Sequence, residues 1–183
     1  WAAATVAFRA GDENPVVPAS WVTLDTWTLT NNGSEEENIS YRIISSALPR
    51  DITKIRVTYE APSSGSFTAD NCAVGIRDGT SDDCTATPTE LLFSGGHGFT
   101  ISNGATLVSD ETAFVASAGA LLLLPVDVGA ANGNVRYSNS GDYTYYRATN
   151  ANTYNTATAT MTLGAGGVHH PIINKIEIFG PDP

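Results

Sequence analysis

The chain has 183 residues, 42% of them hydrophobic, and 9 Lys and Arg residues against 19 Asp and Glu residues give a formal net charge of −10. So acidic a chain would repel nucleic-acid phosphates and lacks a basic patch for anionic lipid, which excludes both as expected partners. It contains no apolar stretch of about 18 residues, so no membrane-inserted segment is predicted. The length and hydrophobic content predict a single domain over residues 1–183.

The N-terminal part of the chain is predicted to form strands. The segment Ala2–Phe8 is apolar apart from Thr5. We expect residues 1–10 to be either the first strand of the domain's own sheet or an arm exchanged with a neighbouring subunit. A Thr-rich run follows, in which Trp21 and Trp27 are expected to pack in the core.

The middle of the chain gives the clearest strand patterns. In Ile52–Tyr59 the side chains of Ile55, Val57 and Tyr59 are predicted to share one face. The run Ala120–Val128, apolar apart from Asp127, is typical of a strand in a sandwich core. The remaining predicted strands cover 67–77, 90–93, 142–147, 156–163 and 172–179, and 99–101 is predicted to form a hairpin with 106–108 around Ser102-Asn103-Gly104.

Turn residues recur about every 8 to 12 positions, the spacing of an all-β sandwich. The fold class predicted from these patterns is therefore an antiparallel β-sandwich.

Cys72 and Cys84 flank a short segment that contains Asp-Gly and Ser-Asp-Asp turn signals. We predict a disulfide between them, which would contribute roughly 3 kcal/mol and require an oxidising compartment. Two unrelated buried thiols are the alternative.

Two segments resemble a known module. Asp51–Gly79 contains a strand before a small-residue loop. Thr89–Gly129 contains Leu-Phe-x-Gly-Gly, a hairpin that ends in Val108-Ser109-Asp110, and Ala118-Gly119 at the start of a long apolar strand. This pattern is similar to the jelly-roll accessory domain that precedes the catalytic domain in secreted GDSL-type (SGNH) esterases, and to modules of bacteriophage virion proteins. Glu111 stands where that family usually has Pro. The resemblance implies a jelly-roll and an extracellular setting, and it transfers no catalytic residue.

Catalytic motifs are missing from the sequence. Neither Gly-Asp-Ser nor Gly-x-Ser-x-Gly occurs, so we expect no enzyme activity. The alternative is a small hydrolase with a triad drawn from Ser94 or Ser109, His97 and Asp110.

One acidic cluster is a candidate metal site. Asp78, Asp82 and Asp83 lie within the segment between the cysteines, and their oxygens suit a structural calcium ion. A solvated turn is the alternative, and no other cofactor is expected.

A polar aromatic segment is the predicted contact surface. Its rings could stack on sugars, or contact a neighbouring subunit, while its amides bind hydroxyl groups. A sheet edge or core strand is the alternative for this segment. The candidate residues are Tyr143, Tyr145, Tyr146, Arg147, Asn150, Asn152 and Tyr154.

Two functions follow from these observations. The first is a non-catalytic extracellular module, secreted or displayed on a cell or virion surface, that binds glycans or mediates adhesion. The second is a structural component of an extracellular or virion assembly, such as a capsid decoration, tail or fibre protein. The expected partners are thus a glycan or neighbouring subunits, including homo-oligomers.

Overall fold

A computed structural model describes residues 17–29, 31–35, 38–129, 134–137, 144–149, 153–163 and 173–182, with the backbone alone for 31–35 and 134–137. These residues form strands and loops and contain no helix that could cross a membrane. The strands are β1 (Ala19–Thr26), β2 (Asn31–Glu35), β3 (Ile39–Ile44), β4 (Ile52–Glu60), β5 (Ser66–Ala69), β6 (Asn71–Ile76), β7 (Thr89–Leu91), β8 (Phe99–Ser102), β9 (Thr106–Val108), β10 (Thr112–Ala116), β11 (Leu122–Val128), β12 (Asn134–Tyr137), β13 (Tyr145–Thr149), β14 (Thr162–Leu163) and β15 (Ile173–Pro181).

Two antiparallel sheets make up the sandwich. The front sheet has the order β1-β15-β4-β10, with β9 also paired to β4. The back sheet has the order β14-β13-β3-β11-β6-β7. Two small ribbons, β12-β2 and β5-β8, complete the described pairing. The predicted all-β antiparallel sandwich is confirmed.

The pairing is nested, as in a jelly roll. Along the chain, β1 pairs with β15, β2 with β12, β3 with β11, β4 with β9 and β10, β5 with β8, and β6 with β7. The chain is thus one long antiparallel ribbon, folded so that successive parts alternate between the sheets. This wound ribbon is the jelly-roll arrangement.

The core lies between the two sheets. In β4, Ile55, Val57 and Tyr59 are fully buried on the inner face, as the alternation predicted. All seven residues of β11 are buried, because this strand lies in the middle of the back sheet between β3 and β6. Both strong strand predictions are therefore confirmed.

The turn of the predicted hairpin at Asn103-Gly104 is confirmed, but the predicted pairing of its two strands is wrong. Both residues have positive φ values, 52° and 72°, and the Ala105 N–H donates to the Ser102 carbonyl at 3.0 Å, so the turn is present. However, β8 pairs with β5, and β9 pairs with β4. The two arms therefore join different sheets instead of each other.

The predicted disulfide is wrong, because both cysteines are free. Cys72 and Val74 point from β6 into the core between the sheets. Cys84 packs with Leu123 and Tyr146 on the outer face of the back sheet. The back sheet thus separates the two thiols, which no turn in the intervening segment could bring together.

Candidate functional site

The predicted aromatic segment is only partly described. Tyr143, Asn150 and Asn152 lie outside the described residues, whereas Tyr145, Tyr146 and Arg147 lie on β13 and Tyr154 in the following loop.

Strand alternation sends the two described tyrosines of β13 to opposite faces. Tyr145 enters the core, with its ring centroid 6.1 Å from that of Tyr41. Tyr146 joins Cys84 and Leu123 on the outer face. Their exposed fractions are 5% and 9%, which leaves neither ring an open face for stacking on a sugar.

Tyr146 instead anchors the loop that precedes Cys84. Its hydroxyl donates to the Thr80 carbonyl at 2.9 Å and accepts from Arg77 Nη2 at 2.7 Å. Arg77 also donates to the carbonyls of Ser81 and Thr80. The outer face of the back sheet is therefore covered by protein at this point.

Arg42 organises the rest of that cover. Its side chain extends from β3 to the outer face and is fully buried. Nη1 donates to the carbonyls of Asp82 and Ala157 at 2.6 and 3.1 Å. Nη2 donates to the carbonyls of Thr153 and Thr156 at 3.0 and 2.6 Å. One guanidinium thus binds both segments that cover this face, which we call the outer strap (residues 77–84 and 153–163).

Asp127 on β11 supports the same strap. It accepts hydrogen bonds from the buried Ser40 hydroxyl and from the N–H groups of Thr153 and Tyr154. Burial raises the pKa of Asp127, and these hydrogen bonds, together with the charge of Arg42, only partly offset that rise. The polar groups of this face therefore serve the fold.

Two of the three predicted calcium ligands, Asp82 and Asp83, bind protein groups through their carboxylates, whereas the bond between Asp78 and Asp83 is a backbone one, from the Asp78 N–H to the Asp83 carbonyl at 2.8 Å. The Asp82 carboxylate accepts the Met161 N–H at 2.7 Å, and the Asp83 carboxylate accepts the Ala159 N–H at 2.9 Å. No group of three or more metal-binding side chains occurs in the described parts of the chain. These two carboxylates hold the two parts of the strap together, and the calcium prediction receives no support from their geometry.

The residues of the alternative triad have other partners. His97 Nδ1 contacts Glu90 at 2.5 Å. The Asp110 carboxylate accepts the N–H groups of Ser94 and Gly95. The buried Ser109 hydroxyl accepts the Val57 N–H at 3.0 Å. Asp110 and Ser109 therefore shape the loop at 93–96 and fasten it to β4, and the structure does not bring a triad together.

A polar cleft of about 310 Å³ lies between the end of β1 and the start of β13. Asp25 and Ser46 line it. The Asp25 carboxylate accepts both the N–H and the hydroxyl of Ser46, at 2.9 and 2.5 Å. These two hydrogen bonds hold Ser46 in place on the wall of the cleft.

One edge of the sandwich, at β10, is a stronger candidate surface. Among the described strands, β10 has a partner on one side only, namely β4. Val115 on this strand is 77% exposed, and Val108 on the preceding β9 is 45% exposed. The backbone of β10 is therefore free to accept another strand beside exposed apolar side chains.

A groove runs beside this edge. It measures about 240 Å³ and separates β10 from Ile76 and the Thr85–Thr89 segment. None of the side chains that line it is charged. The groove is therefore uncharged in a chain with a net charge of −10.

Comparison with known proteins gives no further guide to function. No protein-family model matches the sequence, and no curated protein matches it.

The sequence analysis missed the most informative residues. Arg42 follows Tyr41 in a mostly apolar segment. An arginine in such a segment indicates a buried guanidinium that is paired with several hydrogen-bond acceptors. The uncharged stretch Thr112–Ala120 was also visible, but only the fold shows that it begins at a free edge.

Proposed function

We propose that the chain is a non-catalytic structural subunit of an extracellular or virion assembly and that it joins a second copy of itself through β10. The observation that carries this proposal is the free, apolar edge that β10 offers in the described part of the fold. An exposed edge strand is a template for pairing with another strand. The extracellular or virion setting rests on the resemblance to accessory modules.

Charge favours a second copy at this edge. The molecule carries a net charge of −10, so two copies repel each other in most relative orientations. Thr112 to Ala120 contains no charged residue. Two copies that meet β10 to β10 therefore avoid placing like charges directly opposite each other.

Antiparallel pairing also places the exposed side chains together. In a pair centred on Phe114, Val115 of each copy would lie opposite Ala113 of the other, on the same face of the extended sheet. Both side chains are exposed in the single chain. Association would remove their apolar surface from water while adding backbone hydrogen bonds, which are the two gains of strand addition.

Sedimentation velocity tests this proposal. The wild-type chain is expected to form a dimer, and a variant with Ala113→Lys and Val115→Lys is expected to sediment as a monomer. Leu163→Lys is the matched control, because Leu163 is 57% exposed on β14, an edge strand of the other sheet. Its dimer should persist.

The lysine substitutions make the net charge less negative, which by itself favours association of an acidic chain. Loss of the dimer can therefore be assigned to the edge. A wild-type chain that stays monomeric at every concentration, or a double-lysine variant that still dimerises, would overturn the proposal.

A further inference from the structure

The outer face of the front sheet carries a row of aromatic and cationic side chains. The register places Trp21 beside Phe179, and Phe179 beside Lys54, across β1, β15 and β4. The Trp21 and Phe179 rings lie 5.4 Å apart. Lys54 Nζ lies 5.4 Å from the Phe179 ring centre. The prediction that Trp21 packs in the core is therefore wrong, because its ring lies on an outer face. Trp27 does pack against the core.

A second row extends this surface. Glu177 pairs in register with Arg56, whose guanidinium carbon lies 4.5 Å from the Trp21 ring centre. Lys175 Nζ lies 3.1 Å from the Glu177 carboxylate. We call these six residues the aromatic–basic face: Trp21, Lys54, Arg56, Lys175, Glu177 and Phe179.

This face gathers positively charged side chains in an acidic chain. It holds both lysines of the chain together with Arg56. These three cations contact two carboxylates, Glu177 and the neighbouring Glu111, so these five groups together carry one net positive charge in a chain of net −10. An anionic ligand is therefore attracted to these cations more strongly than to the acidic molecule as a whole.

Internal contacts hold the face in shape. Arg56 donates two hydrogen bonds to Glu177, at 3.0 and 3.1 Å. Burial raises the pKa of Glu177, but the hydrogen bonds from Arg56 and Lys175 outweigh it, so the pKa lies below its usual value and the carboxylate is ionised. Arg56 is thereby fixed against Trp21, while the Lys54–Glu111 pair is exposed and weak. Lys54 is thus available to an incoming carboxylate.

We infer that the aromatic–basic face binds an acidic polysaccharide, with sugar rings packed on Trp21 and Phe179 and uronate carboxylates held by Lys54 and Lys175. Aromatic rings offer a flat apolar surface for the C–H groups of sugars. The ammonium groups of Lys54 and Lys175 offer hydrogen-bond donors to the carboxylates. A sheet face in register across three strands suits an extended chain of sugars. The site uses no contact of β10 with a second copy.

Affinity electrophoresis with polygalacturonate as the immobilised polymer tests this inference, with neutral dextran as the second polymer. Wild-type chain is expected to be retarded by polygalacturonate and not by dextran. Lys54→Gln should weaken retardation about fivefold, and Trp21→Ala about tenfold, corresponding to the loss of one contact each. Lys54→Gln keeps the test valid if Trp21→Ala fails to fold, since Lys54 is 45% exposed.

Tyr154→Ala is the matched aromatic control, because Tyr154 belongs to the segment predicted from sequence to bind sugars and lies in the strap over the opposite sheet. It should bind as the wild type does. No retardation of the wild type, equal retardation by dextran, or unchanged binding by Lys54→Gln would overturn the inference. Loss of binding in Tyr154→Ala instead would assign the site to the strap. None of these outcomes depends on dimerisation, so this inference and the proposed function can fail separately.

Discussion

The sulfur of Cys84 lies over the backbone of Gly75. A Cβ atom on Gly75 would stand 2.6 Å from Cys84 Sγ and 3.1 Å from Cys84 Cβ. The loop before Cys84 can therefore close onto β6 only where β6 has no side chain.

Gly75→Ala is expected to destabilise the fold by about 2 kcal/mol, because the new methyl group meets Cys84 in a packed site. Chemical denaturation measures the change. The double variant with Cys84→Ala should recover part of the loss, since the sulfur is removed. Equal losses in the single and double variants would show that this contact is not the cause.

The two thiols should be present and unreactive in the folded protein. Burial raises the pKa of Cys72 to about 12 and also raises the pKa of Cys84, so neither forms a thiolate at neutral pH. A thiol reagent should label neither residue in the native state and both in denaturant. An intact mass lower by two hydrogens that reduction restores would contradict the free thiols.

Arg42→Lys should loosen the outer strap. Arg42 donates from Nη1 to the Asp82 carbonyl and from Nη2 to the carbonyls of Thr153 and Thr156. The single ammonium group of a lysine cannot reproduce this planar arrangement of two donor nitrogens. Because these carbonyls would lose their hydrogen-bond donors, we expect the free energy of unfolding to fall by about 3 kcal/mol and proteolysis within 153–163 to become faster. Arg50→Lys is the control, because the hydrogen bonds of Arg50 to the Gly180 and Pro181 carbonyls are long, 3.3 Å each, and its charged partner Asp182 is exposed. It should destabilise the fold less than Arg42→Lys does and leave proteolysis within 153–163 unchanged. Equal proteolysis in both variants would refute the role of Arg42.

Glu177 should make the fold sensitive to acid. Its folded pKa lies below its ordinary value of 4.5, so the ionised carboxylate stabilises the fold above that pH. This contribution is lost as the pH falls through the folded pKa. Glu177→Gln should therefore lower Tm at neutral pH and show a smaller further drop between pH 5 and about pH 3 than the wild type. Glu111→Gln, at an exposed pair, should leave the profile nearly unchanged.

The fold could be predicted where the pattern is local. Ile55, Val57 and Tyr59 alternate with polar residues along a single strand, and 122–128 is apolar except for Asp127. Each pattern fixes which face of its own strand is buried. The partner strands are not encoded in this way, so the turn at Asn103 was predicted correctly while the pairing of its arms was not.

The candidate site could not be predicted because it depends on what covers each face. Tyr146 alternates with Tyr145, and the sequence does place them on opposite faces. The outer face that Tyr146 occupies is covered by the strap, which comes from two distant segments. The outer face that Trp21 occupies carries Arg56 and Lys54, far along the chain. Which face is covered is a property of the assembled sheets.

Hydrogen–deuterium exchange along β10 tests the proposed assembly most directly. The described strands leave the amides of β10 that point away from β4 without a strand partner in a single chain. If two copies pair through this edge, exchange at 113–116 should slow by at least about tenfold between dilute and concentrated solution, while Leu163 and its neighbours exchange at an unchanged rate. Equally fast exchange of β10 at all concentrations would contradict the account.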